Sequence, residues 1–131
     1  MTVTRAVTRL SKLEMRIMET LWEQGEASIR AMQEAFPAKK RPGYTTIQKT
    51  VYRLEEKNAL RRVRKVGNFH IFAPLITRES AQRRLIDDLL ALFGGNSRPV
   101  MAHLIDAGKL TLEDVAYAEE TLKSIQEETK K

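Results

Sequence analysis

Apolar residues recur at helical spacing in six stretches of the chain and at strand spacing in one. The first stretch places Leu13, Ile17 and Leu21 on one face, with Met18 and Trp22 beside it. Ser11 and Glu14 stand at the two positions of a capping box, Leu10 and Met15 at those of a hydrophobic staple, and Gly25 follows the last periodic residue. A shorter second helix is predicted from Ser28, with Ile29, Met32 and Phe36 buried and Pro37 as its stop. The basic loop Ala38-Lys39-Lys40-Arg41-Pro42-Gly43 comes next. A third helix is predicted to start at Thr45, with Gln48 as the box partner; Ile47, Val51 and Leu54 face inward and Asn58 ends the run.

The period then shortens. Leu60 to Val66 and Phe69 to Ala73 read as two strands joined by Gly67-Asn68, a pair suited to a two-residue hairpin because glycine accepts a positive φ at the first turn position. Three helices followed by a hairpin give a mainly α chain whose front, residues 1–76, is a winged helix-turn-helix. The remainder, 77–131, is predicted to be a helical dimerisation domain. Thr77 caps a helix with Leu85, Leu89 and Leu92 on one face and Ile86, Leu90 and Phe93 on the next, until Gly94-Gly95 stops it. A short helix follows from Ser97 to Ala107, containing Leu104 and closed by Gly108. Thr111 and Asp114 open a last one, carrying Leu112, Val115, Leu122 and Ile125 and expected to fray from Glu127. A segment this short has little room for a core of its own. A second copy is the expected cover for Leu85, Ile86, Leu89, Leu90, Leu92, Phe93, Leu104 and Leu122, with folding back onto the head as the alternative.

Charge sharpens this division. The net charge is +6, but residues 1–76 hold 15 Lys and Arg against 7 Asp and Glu, whereas 77–131 hold 8 against 10. The basic front suits a polyanion and the acidic back does not. With no cysteine there is no disulfide, thiolate metal site or thiol catalysis. No apolar run approaches a bilayer span and the first ten residues lack a signal-peptide core, so a cytoplasmic protein without membrane insertion is expected.

On the third helix, Thr45, Thr46, Lys49, Tyr52 and Arg53 fall opposite the apolar stripe or on its flank. Hydroxyls and long cations can reach base edges and phosphates in a major groove about 12 Å wide. Free amides at Thr46 and Ile47 would add a preference for phosphate. Arg64, Lys65 and Asn68 in the hairpin, and Lys39, Lys40 and Arg41 in the loop, are candidate phosphate contacts. Each cluster alone also reads as an ordinary solvated face; three on one small head favour nucleic acid. A winged-helix adaptor that binds protein is the alternative. An enzyme is not expected: His70 and His103 have no metal-site spacing, and Asp87-Asp88 and Glu119-Glu120 are neighbours that point apart on helices. Neither metal nor cofactor is anticipated.

The residues also resemble a known family. Leu10 to Trp22, Tyr44-Thr45-Thr46-Ile47, Leu54-Glu55-Glu56-Lys57 before Leu60, Phe69 to Ile76, and Leu89 to Gly95 together look like the penicillinase-repressor (BlaI/MecI) family over about residues 10–125. The resemblance implies a homodimeric repressor on an inverted-repeat operator, paired with a membrane-bound sensor protease that cuts the dimerisation region. It places the cleavage position at His103-Leu104, where this chain lacks the family's Asn-Phe pair. The copper-responsive branch uses a C-terminal cysteine motif, which this chain also lacks.

Overall fold

The computed structural model describes residues 8–130. Six α-helices and one hairpin follow in the order α1 (Lys12–Gln24), α2 (Ile29–Glu34), α3 (Tyr44–Glu56), β1 (Leu60–Val66), β2 (Phe69–Pro74), α4 (Arg78–Leu92), α5 (Arg98–Asp106) and α6 (Leu112–Thr129), with a 3-10 turn at Ala38–Lys40. The chain divides into two compact units, one up to Asp88 and one from Leu89.

Local side-chain chemistry sets most helix starts in the first unit. The Ser11 hydroxyl accepts from the Glu14 amide (3.2 Å) and the Glu14 carboxylate accepts from the Ser11 amide (2.7 Å), so the predicted box is present. Ser28 accepts from the Ala31 amide at 3.1 Å. Gly25 ends α1 at φ +82°, a conformation that a side chain would strain. The box expected at Thr45 and Gln48 is not formed. α3 begins earlier, at Tyr44, with Gly43 as an N-cap that offers only backbone. The extended Gly43 carbonyl already takes the Ile47 amide (3.2 Å), so Ile47 is not a free donor as expected. Asn58, at φ +59°, ends α3 in a Schellman arrangement: the Ala59 amide donates to Leu54 O and the Asn58 amide to Glu55 O.

The core holds Ile17, Met18 and Leu21 of α1, Ile29 and Met32 of α2, Ile47, Val51 and Leu54 of α3, Leu60 and Phe72 of the hairpin, and Ala81 of α4. The hairpin pairs antiparallel from Leu60↔Pro74 to Val66↔Phe69, with a bulge between Arg62 and Arg64. Of the turn pair Gly67-Asn68, only Gly67 has a positive φ (+58°), as a glycine-first turn requires. Phe72 anchors the wing: its amide and carbonyl both pair with Ala27, between α1 and α2, while its ring is buried in the core. The chain leaving the wing is tied to α1, where the Trp22 indole donates to Ile76 O (2.9 Å) and Arg78 pairs with Glu19 (3.1 Å).

Glu14 is the one buried carboxylate among the described residues, at 1% exposure. Its Oε1 takes both the Ser11 amide and Lys57 Nζ (2.6 Å), which joins the start of α1 to the end of α3. Burial pushes the Glu14 pKa up, but the Lys57 and Ser11 hydrogen bonds outweigh it and the net direction is downward. The folded protein therefore holds this proton less tightly than the unfolded chain. The resulting stability is fully present above the ordinary glutamate range and is lost as pH falls through it towards the depressed folded value. Glu14→Gln should cost about 1–3 kcal/mol at neutral pH, towards the lower end because Lys57 is 26% exposed and its ammonium can turn to water. Urea midpoints measured from neutral pH into the acid range should fall less steeply in the variant; parallel profiles would contradict the assignment.

In the second unit, Thr111 and Asp114 form the expected box, and Gly108 (φ +71°) closes α5 with the Lys109 amide donating to Leu104 O at 2.7 Å. The fray expected from Glu127 does not occur. No glycine or proline interrupts the segment, and α6 continues to Thr129, whose hydroxyl donates to Ile125 O. Neither α5 nor α6 contains a buried residue.

Candidate nucleic-acid interface

α3 has an inner stripe locked into the core and an outer stripe left in solvent. Thr45, Thr46, Lys49, Tyr52 and Arg53 are all exposed. Lys49 and Arg53 form no ion pair among the described residues, although the acidic Glu55 and Glu56 lie on the same helix. Glu55 is instead held by Arg62 of β1, through Nε at 2.9 Å. That pairing draws the negative charge away from the outer face and leaves two cations for an external anion. Thr50, one turn after Thr46, is buried and donates to Thr46 O at 2.7 Å. With Ile47 occupied, the first-turn amides of Tyr44, Thr45 and Thr46 face the helix N-terminus, where the macrodipole also favours negative charge.

The loop cations divide by role. Lys39 and Lys40 are exposed on the 3-10 turn. Arg41 folds back: its guanidinium donates to Phe36 O (3.0 and 3.2 Å) and to Glu34 O (3.1 Å), satisfying carbonyls at the end of α2. Arg41 thus shapes the loop that displays the two lysines. On the wing, Lys65 and Asn68 are exposed, while Arg64 is ion-paired to Glu26. Arg62 lies over the rings of Tyr52 and Phe72 at 5.4 and 5.7 Å, linking wing to helix by cation–π contact.

Four exposed or half-buried residues that the sequence reading did not select adjoin this surface: Tyr44, Gln48, Val66 and Phe69. Tyr44 and Gln48 precede Tyr52 at i, i+4, i+8 spacing, and that spacing was the available signal. Val66 and Phe69 pair across the hairpin beside its turn. His70 is half-buried in the same region. Among the described residues no group of His, Asp and Glu could hold a metal ion, and no helix is long and apolar enough to cross a membrane.

The dimerisation candidates lie on α4, α5 and α6. Ile86, Leu89, Leu92, Phe93 and Leu122 are exposed; Leu85, Leu90 and Leu104 are half-buried. His103 and Leu104 sit inside α5, and the His103 carbonyl accepts from the Ala107 amide at 2.9 Å.

Comparison with known proteins agrees with this architecture. The solution structure of the DNA binding domain of the repressor BlaI covers 59% of this chain and 93% of its own, with a TM-score of 0.50 and 21% identity, a likeness of fold. Transcriptional regulator BlaI of Mycobacterium tuberculosis, in strains CDC 1551 / Oshkosh and ATCC 25618 / H37Rv, is 30% identical over 103 residues, covering 76% of this chain and 74% of that protein. The sequence model of the penicillinase repressor family matches residues 10–124. The chain therefore belongs to the penicillinase repressor family, which is a family of transcriptional regulators and not of enzymes.

Proposed function

We propose that the protein is a cytoplasmic transcriptional repressor that binds an inverted-repeat operator as a homodimer and blocks transcription by occupying it. The observation that carries this reading is the unpaired cationic face of α3, held outward by a fully buried inner stripe. In this reading Thr45, Thr46, Lys49, Tyr52 and Arg53 enter the major groove. Lys39, Lys40, Lys65 and Asn68 hold phosphates, Arg64 joins them when it exchanges Glu26 for a phosphate, and Arg41 positions the loop. The tail, from residue 77, joins two heads so that each reads one half-site.

Relief of repression by a membrane-bound sensor protease follows from the family resemblance. The position that the resemblance marks, His103-Leu104, lies within a hydrogen-bonded helix, so cutting there requires α5 to open.

The test is selection of duplexes from a randomised pool, followed by fluorescence anisotropy across a salt series. The three lysines and Arg64 of each head give eight cationic contacts for the dimer. At about 0.9 per phosphate, log affinity should fall with log salt at a slope of about 7. A protein that enriches no duplex and passes through a DNA column at moderate salt is an adaptor, and this reading is then wrong.

A further inference from the structure

Between α3 and the wing tip lies a recess of about 90 Å³. One wall is the stripe Tyr44, Gln48, Tyr52; the opposite wall is Asn68 and Phe69; buried Phe72 lines it as well. Three of its rings stand open to solvent: Tyr44 at 39%, Tyr52 at 40% and Phe69 at 55% exposure. Tyr52 is held in place, with its hydroxyl accepting from Gln48 Nε2 (3.2 Å) and its ring under Arg62. The recess is therefore a preorganised, ring-lined notch of mixed polarity, with Gln48, Asn68 and His70 among its walls, set beside a cationic, hydroxyl-bearing face. Phosphate contacts alone would not need it, since cations and amides serve phosphate and an exposed ring does not.

The base edges in a major groove carry one apolar group, the C5-methyl of thymine. It projects at the edge of the groove beside its own strand's backbone, and that edge is what the flank of a groove-bound helix nearest the wing would meet. The recess has room for a methyl group and for part of the ring edge behind it.

We propose that Tyr44, Tyr52 and Phe69 form a thymine-methyl subsite that contributes sequence specificity. This rests on the proposed placement of α3 in the major groove. Burying one methyl should change affinity about fourfold per half-site, or about fifteenfold when both half-sites lose it.

The probe is the duplex that the full-length protein selects from a randomised pool, with each thymine replaced in turn, in both half-sites, by deoxyuridine. In the wild type, one thymine position should show the fifteenfold loss. In Phe69→Ser the same replacement should change affinity less than twofold, because the wall that meets the methyl is gone. Phe69→Leu keeps an apolar wall and should retain most of the penalty. Phe69 is exposed, so both variants should fold, and their thermal melts check this. Absence of any deoxyuridine penalty, or a penalty of equal size in Phe69→Ser, overturns the subsite while leaving DNA binding intact. Failure to select any duplex overturns the DNA-binding reading itself, and the subsite with it.

Discussion

Replacing Lys49 and Arg53 together by alanine should lower affinity for the selected duplex by roughly 10³-fold or more, with little change in thermal stability. Each side chain that contacts a base or phosphate contributes about 1–3 kcal/mol, and both are lost from each head. Stability should hold because neither residue touches the core: the helix is fixed by Ile47, Val51 and Leu54, all fully buried. Arg53 lies in the last turn of α3, where a cation favours the helix dipole, so its removal costs a few tenths of a kcal/mol. Arg62→Ala provides the contrast. Arg62 holds Glu55 and stacks on Tyr52 and Phe72, so its loss frees a carboxylate beside the reading face and loosens the wing. Gel shift with circular-dichroism melting separates the two variants. Unchanged affinity in the Lys49, Arg53 double variant would remove α3's outer face from the interface.

How much of this was legible in the sequence follows from the range of the interactions. The starts at Ser11, Ser28, Thr77 and Thr111 depend on hydrogen bonds spanning three residues, so the local string carries them. The positive φ values at Gly25, Gly67 and Gly108 are likewise properties of single residues. The start of α3 is not legible in the same way, because Gly43 caps with backbone alone, while Thr45 and Gln48 offer a box that the helix does not use. The Glu14–Lys57 pair joins positions 43 apart in sequence, and Arg64–Glu26 joins positions 38 apart; no local pattern announces either. The same distance hid the aromatic notch. Tyr44 and Phe69 lie on different elements, and only the bulged, Phe72-anchored hairpin brings them to one recess. Arg41 shows the opposite error: among three adjacent basic residues, composition cannot tell which one turns inward to satisfy carbonyls.

The second large effect concerns the tail. The double variant Leu92→Glu, Leu122→Glu should convert a dimer to a monomer and reduce affinity for the full operator by about 10²–10⁴-fold, while leaving affinity for an isolated half-site unchanged. Leu92 is 82% and Leu122 62% exposed in the single chain. In a protein that works as one chain, exchanging such residues for glutamate would change stability by no more than about 0.5 kcal/mol. The same exchange in the covered centre of an interface places carboxylates out of water without partners, which costs several kcal/mol. High exposure in the single chain is what sets the two outcomes apart. Leu112, Val115, Tyr117 and Ile125 of α6 are also open, and neither α5 nor α6 buries a single residue. Exposed apolar side chains in this number call for a covering partner, and a second copy of the chain is the proposed one. Sedimentation velocity should show the wild type at twice the mass of the variant. Equal mass for the two, whether both single or both paired, would mean that these leucines do not form the joint. The doubling of the heads would then need another surface.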